Sequence, residues 1–218
     1  MECSVKNTIE NLKKNNMEAY FCADENEVLE LVKKLIKKGD VISNGGSVTL
    51  AETGVLNLIK SGDYQYLDRA RAGITPDEIE EVYRKTYSAD VYFASANAIT
   101  ESGYIYNVDG NSNRVSAILY GPKSVILIVG KNKLVKTIED AVERVKTVSA
   151  PKNAVRLGIN SYCANKGNCV SVDLKTADTE MCDGCNSDTR ICCNYVLSGK
   201  QRHKNRIKVI LVDKELGY

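Results

Sequence analysis

Aromatic side chains and net charge are both scarce in this chain. Tryptophan is absent, phenylalanine occurs twice, and 30 basic residues nearly balance 28 acidic ones. Nucleic-acid binding typically needs a clustered basic surface and aromatic stacking platforms, so no nucleic-acid partner is expected. The basic stretch at 200–208 is interpreted as a solvated loop, and His203 within it, the single histidine, as an ordinary surface side chain.

Long apolar runs are missing as well. No stretch approaches the roughly 18 apolar residues of a membrane span, and the N-terminal segment MECSVKNTIENLKKNN is too polar for a signal peptide. We therefore expect a cytoplasmic protein with no membrane partner. No internal repeat or low-complexity linker divides the 218 residues, so a single domain, 1–218, is expected.

Cysteine, by contrast, is concentrated in one segment. Six of the eight cysteines lie between Cys163 and Cys193, with the spacing C-x5-C-x12-C-x2-C-x6-CC. Disulfide frameworks are typical of small secreted chains, whereas cytoplasmic thiols stay reduced and are preferred ligands of zinc and of iron–sulfur clusters. The spacing therefore favours a metal site, with unliganded thiols packed as small apolar side chains as the alternative.

The two adjacent cysteines constrain the choice of metal ligands. If a short helix begins near Ser187, Cys192 and Cys193 are about 100° apart around its axis and do not easily face one metal. Cys182 and Cys193 are then substitutes rather than first choices. The expected metal ligands are Cys163, Cys169, Cys185 and Cys192.

Helical and extended periodicities alternate along most of the chain. This pattern predicts a three-layer α/β fold with an open, mostly parallel sheet and a C-terminal cysteine-rich segment. The most apolar run, SVILIVG at 124–130, is expected to be a central strand. A helix is expected from Leu134 to Val148, interrupted at Pro151. Further strands are expected at 18–22, 40–44, 91–95, 104–108, 114–120 and 207–212, those at 104–108 and 114–120 forming a hairpin.

A glycine turn follows the strand at 40–44. In NGGSVTLAETG, Gly45 and Gly46 allow a tight turn, and Ser47 can cap a single helix that begins at Val48. Free backbone N–H groups and the positive end of a helix dipole form an anion site in outline. The spacing matches neither the dinucleotide fingerprint nor the Walker P-loop, so a purely structural use of the glycines stays open.

Polar side chains cluster around two further glycines, Gly103 and Gly110, and suggest a pocket beside buried strands. Glu101 has the chemistry of a general base or a nucleophile if a pocket shields it. Arg114 is suited to hold a carboxylate or phosphate with two parallel hydrogen bonds. Alternatively, these residues build turns and Arg114 pairs with Asp109. The cluster consists of Asn97, Thr100, Glu101, Asn107, Asp109, Asn113 and Arg114.

Segments covering nearly the whole chain resemble the lactate-utilization (LUD) domain family, formerly DUF162, in the subgroup with a C-terminal cysteine motif. The resemblance rests on NGGSVTLAETG, SANAITESGYIYNVDGNSNRVSAILYGPKSVILIVGKNKLV, SAPKNAVRL and IKVILVDKELGY. It implies a fold similar to the superfamily of sugar-phosphate isomerases and coenzyme A transferases. Some family members are encoded among proteins needed for growth on L-lactate, where iron–sulfur partners are thought to oxidise lactate to pyruvate.

The resemblance also implies which residues form the site. Its glycine-turn and central motifs suggest ligand-binding roles for Gly45, Gly46, Ser47, Glu52, Asn97, Thr100 and Asn113, and catalytic roles for Glu101, Asp109 and Arg114. Its terminal cysteines match Cys163, Cys169, Cys185 and Cys192. The segment between Cys169 and Cys185 is longer than in the family pattern and includes Cys182, which leaves the ligand set open.

Three hypotheses follow. The first is an LUD-type protein of organic-acid or redox metabolism that binds a small anionic metabolite and a cysteine-ligated zinc ion or iron–sulfur cluster. An iron–sulfur partner subunit would then exchange electrons with it. The second is an enzyme that acts on sugar phosphates or acyl thioesters through Glu101. The third is a non-catalytic redox sensor or assembly subunit. A homodimer is the base-rate expectation.

Overall fold

Helices and strands alternate along the chain in a computed structural model, which describes residues 3–174 and 180–218. The α-helices are α1 (Cys3–Lys14), α2 (Glu25–Leu35), α3 (Val48–Glu52), α4 (Val55–Ile59), α5 (Pro76–Thr86), α6 (Asn113–Leu119), α7 (Ile138–Arg144), α8 (Ala150–Arg156), α9 (Tyr162–Lys166) and α10 (Val170–Leu174). A 3-10 turn spans Lys131–Lys133, and a π-helix spans Val145–Ser149. None of the helices in the described ranges is long and apolar enough to cross a membrane.

The strands form two sheets. They are β1 (Glu18–Cys22), β2 (Val41–Asn44), β3 (Gln65–Tyr66), β4 (Val91–Ala94), β5 (Ala98–Thr100), β6 (Ile105–Asp109), β7 (Ser124–Gly130), β8 (Leu134–Val135), β9 (Asn194–Ser198) and β10 (Ile207–Val212). The main sheet has six parallel strands in the order β1-β10-β7-β4-β2-β3. The smaller sheet has the order β8-β5-β6-β9.

Strand β7 lies inside the main sheet, as SVILIVG predicts. Leu127 pairs with Val209 of β10 on one side and with Ala94 of β4 on the other. A parallel strand covered on both faces carries a continuous apolar run rather than an alternating one. The expected central strand is therefore confirmed.

Helices cover both faces of the main sheet. On one face, Leu12 of α1 and Ile118 of α6 pack in the same apolar cluster as Leu127. On the opposite face, Val32 of α2 packs in the cluster that contains Ile126. Successive side chains of a strand point to opposite faces, so β7 contributes to both cores. The three-layer α/β fold with an open, parallel central sheet is confirmed.

The smaller sheet is built from the segments that leave the carboxyl ends of the main strands. A short loop joins β4 to β5, and the 3-10 turn joins β7 to β8. Strand β6 runs antiparallel to β5 and β9, with Asp109 opposite Asn194. Tyr106 of β6 and Val145 of the π-helix belong to a third apolar cluster. This sheet therefore forms a platform at the carboxyl edge of the main sheet.

Residues 113–119 are helical, so the expected strand at 114–120 and its hairpin are wrong. Helix α6 begins after Ser112, whose φ of 64° reverses the chain direction. Asp109 Oδ2 accepts a hydrogen bond from Val115 N at 3.1 Å, which satisfies one of the N–H groups of the first turn. Val115 and Ile118 are both buried, and their spacing of three residues is helical rather than extended.

The helix expected as far as Pro151 begins later and continues past that proline. Thr137 caps α7, the π-helix follows it, and α8 then extends the helical path. Pro151 lies in the first turn of α8, where the π-helix has already shifted the hydrogen-bond pattern and a missing N–H costs little. The single helix expected from Val48 divides into α3 and α4 at Gly54, whose φ is 71°.

Candidate functional site

The carboxyl ends of β2, β4 and β7 meet at one edge of the main sheet, because these strands are parallel neighbours. Ligands of open α/β sheets bind at this edge. The loops after the three strands carry Gly46, Ser95 and Lys133 and border a cavity of about 410 Å³. We call it the strand-end cavity. Its other polar lining residues include Ser47, Thr49, Arg69, Tyr83, Asn97, Asp109, Asn113, Arg114, Asn153 and Arg156.

Arg114 is the centre of the polar network in the wall of this cavity. Its Nε donates to Asp109 Oδ1 at 2.9 Å, and its Nη2 lies 2.8 Å from the same oxygen. A guanidinium has five N–H donors, and all five of Arg114 are directed at protein acceptors. The remaining acceptors are Ser95 O, Asn107 Oδ1, Asn97 Oδ1 and Val108 O, at 2.8–3.0 Å. Arg114 thus adds positive charge to the cavity while it pairs with Asp109, as the alternative interpretation has it.

The same network fixes the ends of the strands in the smaller sheet. Asn97 Oδ1 accepts hydrogen bonds from Arg114 Nη2 at 2.8 Å and from Val108 N at 2.9 Å. Asp109 uses one carboxylate oxygen for Arg114 and the other for Val115 N. All N–H groups of Arg114 are paired, whereas Asn107 Nδ2 in the same network is buried without a hydrogen-bond partner in the described ranges. Networks that are largely satisfied rigidify the structure around them. This wall is therefore preformed.

Arg69 differs from Arg114 because most of its donors stay available. Its Nη1 donates to the hydroxyl of Tyr83 at 3.2 Å, and its guanidinium lies 5.5 Å from the centroid of that ring. Across the described ranges this is its one hydrogen bond, so other N–H groups can reach a ligand. Arg69 Nη2 lies 3.2 Å from the position that a Cβ atom on Gly46 would take, so Gly46 leaves room for the guanidinium.

Lys133 is 3% exposed, and its amine lies at the cavity wall. Its Nζ lies 2.9 Å from Thr49 Oγ1 and 3.0 Å from Ser95 Oγ. Burial lowers the pKa of Lys133 to about 7, and the positive charges of Arg144 and Arg114 add to this effect. A large fraction of the Lys133 side chains is therefore neutral at neutral pH.

The cavity brings together six of the residues expected from the sequence, namely Gly46, Ser47, Asn97, Asp109, Asn113 and Arg114. Gly45 lies behind them, where a Cβ atom would be 3.1 Å from the side chain of Arg114. Glu52 and Thr100 are outside the lining. Glu52 accepts a hydrogen bond from Gly217 N at 2.6 Å, and Thr100 Oγ1 accepts one from Tyr104 N at 3.1 Å.

Glu101 lies away from the strand-end cavity. Its Oε1 accepts a hydrogen bond from Asn7 Nδ2 at 2.7 Å, and its backbone oxygen accepts one from Asn11 Nδ2 at 2.9 Å. The residue lines a different surface depression, next to Lys136 and Thr137. The structure therefore does not bring Glu101 together with Asp109 and Arg114, and its role as a base or nucleophile stays a prediction.

The glycine turn caps a much shorter helix than expected. Ser47 Oγ accepts a hydrogen bond from Leu50 N at 3.3 Å, so its capping role is confirmed. Helix α3 has only five residues, and a dipole summed over so few peptide units is small. The positive charge at this cavity therefore comes mainly from side chains.

A second, smaller cavity of about 30 Å³ lies under the cysteine-rich segment, and we call it the cysteine cavity. The four expected ligands line it, namely Cys163, Cys169, Cys185 and Cys192. Cys182 and Cys193 are exposed. Burial raises the pKa of Cys192 to about 12, and the thiols of Cys163 and Cys169 add to this rise. The neutral thiol is thus the stable form of Cys192 without a bound cation.

Arg190 holds the cysteine-rich segment together from within. It donates to the backbone oxygens of Cys182 at 2.6 Å, Cys185 at 3.1 Å and Cys192 at 2.8 Å. The short helix expected near Ser187 is wrong, because residues 183–193 form turns. The conclusion drawn from that helix still holds in part, since Cys192 faces the cavity whereas Cys193 is exposed.

The fit of this cavity to a metal rests on two observations. Within residues 3–174 and 180–218, no group of three or more His, Cys, Asp or Glu side chains is placed to hold a metal ion. Tyr106, however, is 1% exposed and lines the cavity, and its hydroxyl has no hydrogen-bond partner in those same ranges. A buried, unpartnered hydroxyl is costly, and a thiolate or sulfide acceptor would satisfy it.

Lys133, Tyr83 and Arg69 also line the cavity, and none of them is among the site residues expected from the sequence. Lys133 follows the central strand by three residues, so its place at a strand end was the available signal. The sequence does not indicate that the Lys133 side chain is buried, because lysine is ordinarily exposed. Tyr83 and Arg69 come from a helix and a loop that only the folded chain brings to the cavity.

Known proteins resemble this chain in sequence and in fold. The model of the LUD domain family matches residues 5–212. The crystal structure of a DUF162 family protein from Deinococcus radiodurans superposes on 96% of this chain and 96% of its own, with a TM-score of 0.50 and 14% sequence identity, which is a likeness of fold alone. No curated protein matches the chain significantly. Because the family model spans nearly the whole sequence, the chain belongs to the LUD domain family.

Proposed function

We propose that this LUD protein binds a small carboxylate metabolite in its strand-end cavity and serves organic-acid metabolism. The observation that carries the proposal is the charge of the lining. Arg69, Arg114 and Arg156 line the cavity together with the partly neutral Lys133, and Asp109 is the one acidic side chain among its described lining residues. Because Asp109 is paired with Arg114, the excess positive charge favours an anion.

The size and the donors of the cavity support a small, polar ligand. A volume of about 410 Å³ suits a small metabolite rather than a polymer. Arg69 offers a guanidinium edge, which matches a carboxylate with two parallel hydrogen bonds. Ser47, Asn97 and Asn113 add neutral hydrogen-bonding groups that suit hydroxyl or carbonyl oxygens of the ligand.

A binding titration with L-lactate, pyruvate and neutral lactamide tests this proposal. We expect calorimetry to detect both acids but not the amide. Arg69→Met should weaken binding of the acids by roughly tenfold or more, because a charge-assisted hydrogen bond contributes about 1.5–3 kcal/mol. Arg71→Met is the matched control, since Arg71 pairs with Glu78 at 2.6 Å outside the cavity lining. Equal binding of acid and amide, or equal losses in the two variants, would contradict the proposal.

We also propose that the cysteine cavity receives a thiolate-bound metal group, with an iron–sulfur cluster as the first candidate and zinc as the alternative. Four cysteines line one space. Thiolates are preferred ligands of both groups, and a space of about 30 Å³ would have to widen to admit a cluster. Cys163, Cys169, Cys185 and Cys192 would hold the group, and Tyr106 would donate a hydrogen bond to a sulfur atom. A cluster would supply one-electron transfer.

The proximity of the two cavities supports a joint role. Ile191 lines both the strand-end cavity and the cysteine cavity. Gly110 lets the chain at Ile191 approach closely, since a Cβ atom at position 110 would lie 3.3 Å from Ile191 Cα. A redox group in one cavity and a metabolite in the other would thus both lie beside Ile191.

Anaerobic purification followed by elemental analysis and a visible absorption spectrum tests the metal proposal. We expect iron and sulfide with a broad visible band, whereas stoichiometric zinc in colourless protein would select the structural alternative. Cys192→Ser should lose the metal and Cys193→Ser should keep it, because only the first of these neighbours lines the cavity. Metal-free protein with all thiols reactive would exclude both metals.

A further inference from the structure

The amine of Lys133 is placed differently from an ordinary surface lysine. It is 3% exposed and lies between the loops that follow β2 and β4, with Thr49 Oγ1 at 2.9 Å and Ser95 Oγ at 3.0 Å. In the described part of the chain it forms no salt bridge. A buried amine without a carboxylate partner is costly to keep charged, so such a group calls for a chemical explanation.

The hydrogen bonds around this amine determine how it faces the cavity. Thr49 Oγ1 donates its own hydrogen to Leu216 O at 3.3 Å, and Ser95 Oγ donates to Ala96 O at 3.4 Å. Each hydroxyl therefore offers lone pairs to Lys133 and accepts from it. A neutral amine has two N–H donors and one lone pair. When both N–H groups are directed at the two hydroxyls, the lone pair is left for the cavity.

The charges near Lys133 favour that neutral form. Burial, together with repulsion from Arg144 and Arg114, lowers its pKa to about 7 against the opposing attraction of Glu52. At pH 7, the neutral fraction of Lys133 exceeds that of an exposed lysine, whose pKa is about 10.4, by roughly a thousandfold. Neutral amines are the nucleophilic form, so the site activates this lysine.

We propose that Lys133 condenses with the carbonyl group of a 2-oxo acid in the strand-end cavity and forms a protonated imine. The inference rests on the proposed function, because the cavity must first bind a small carboxylate. Arg69 provides an anchor for the carboxylate, and Lys133 provides the nucleophile at another part of the same lining. A 2-oxo acid is the ligand that presents a carboxylate and an electrophilic carbon side by side.

The step balances without an external oxidant or reductant. The nitrogen lone pair attacks the carbonyl carbon, and the carbonyl electron pair moves to its oxygen, which takes up a proton. The resulting carbinolamine loses this oxygen as water after a second protonation, and a C=N⁺ bond forms. One neutral amine, one ketone and one proton taken up from solvent therefore give one protonated imine and one water, and water reverses the reaction. A 2-hydroxy acid has no carbonyl group and cannot react.

Reductive trapping tests the inference. The full chain is incubated with pyruvate and sodium cyanoborohydride, and its mass is measured before and after digestion. We expect one adduct, with a mass gain equal to pyruvic acid less one oxygen atom, located on Lys133. L-Lactate should give no adduct under the same conditions. As the pH falls below the pKa of about 7, the neutral fraction of Lys133 falls by up to about tenfold per pH unit, and the initial rate of its addition to the carbonyl group should fall with it.

Two lysine variants serve as a matched pair. Lys133→Met should abolish the adduct, whereas Lys131→Met should retain it, because Lys131 lies on the same 3-10 turn but pairs with Asp213 at 2.9 Å. If Lys133→Met does not fold, the peptide map of the unaltered protein still locates the adduct.

The outcomes separate this inference from the proposed function. Pyruvate that binds in calorimetry but leaves no trapped adduct would overturn the inference and leave the carboxylate site intact. Adducts distributed over exposed lysines, with none enriched at Lys133, would overturn it equally. If pyruvate does not bind at all, both the proposed carboxylate site and the proposed imine are wrong.

Discussion

The two cavities of this protein are neighbours that are built in opposite ways. The strand-end cavity has walls on the ends of buried parallel strands, and all N–H groups of its Arg114 are already paired, although Asn107 Nδ2 has no partner in the described ranges. The cysteine cavity is enclosed by turns that Arg190 ties together through three backbone oxygens, and it contains the unpartnered hydroxyl of Tyr106. A preorganised wall suits a ligand that binds reversibly. A pocket enclosed by loops, with a hydroxyl that lacks a hydrogen-bond partner, suits a group that stabilises the fold when it binds.

Arg114→Met should have the largest effect on stability. It leaves Asp109 as a nearly buried carboxylate without its partner, so we expect the free energy of unfolding to fall by about 3–5 kcal/mol. Urea denaturation measures the change. Arg156→Met is the control, because Arg156 is exposed and bonds only to Asn153 in the described ranges, and it should change stability by about 0.5 kcal/mol or less. Similar losses in both variants would show that the Arg114 network is not the rigid wall.

The pH dependence of stability should reveal the buried amine of Lys133. Between its folded pKa of about 7 and the value of about 10.4 for an unfolded lysine, the unfolded chain holds a proton that the folded chain does not. Stability should therefore rise with pH in this window, by at most about 1.4 kcal/mol per pH unit from this group. Thermal denaturation of Lys133→Met should lack that rise. An unchanged pH profile would mean that Lys133 is charged in the folded protein.

The two glycines of the turn should respond unequally to alanine. A Cβ atom on Gly45 would lie 3.0 Å from the Tyr92 hydroxyl and 3.1 Å from two carbons of Arg114, so Gly45→Ala should cost about 1–3 kcal/mol of stability. Gly46→Ala meets only the flexible end of Arg69, at 3.2 Å, and should mainly weaken binding of a carboxylate. Denaturation and calorimetry of both variants compare these effects. Equal stability losses would contradict the assigned difference.

Arg190→Met should have the smallest effect on global stability and a clear local one. Arg190 supports turns rather than a core, so we expect a loss of about 1 kcal/mol or less. The thiols of Cys185 and Cys192 should react faster with a thiol reagent, because their backbone carbonyls lose a shared donor. Arg202→Met, at an exposed position in the basic loop, should leave those rates unchanged. Equal thiol reaction rates in the two variants would show that Arg190 does not organise the cysteine cavity.

The parts of the fold that the sequence predicted are those with strong periodicity. The continuous apolar run of β7 indicated a central strand, and the expected strand at 207–212 is β10. Helix α6 was mistaken for a strand because its apolar residues also partly alternate, and its start depends on Asp109 and on the left-handed Ser112. Such local contacts are not visible in periodicity alone.

The site residues that could be predicted are those whose role follows from their position in the chain. The residues that were missed are those whose role depends on burial in the folded protein. Asn97 and Asp109 sit at strand ends, and the cysteine spacing selected the four thiols that share a cavity. Glu101 looked more reactive than Lys133 because a carboxylate between polar residues is a familiar base. Only the fold shows that Glu101 bonds to Asn7 elsewhere and that Lys133 is buried beside two hydroxyls.

Hydrogen exchange measured by mass spectrometry, with and without saturating pyruvate, tests the carboxylate site most directly. We predict slower exchange at residues 44–49 and 131–133, which border the strand-end cavity, and unchanged exchange at residues 180–188 of the cysteine-rich segment, which do not. Unchanged exchange throughout, or slower exchange confined to the cysteine-rich segment, would contradict the assignment of the metabolite to the strand-end cavity.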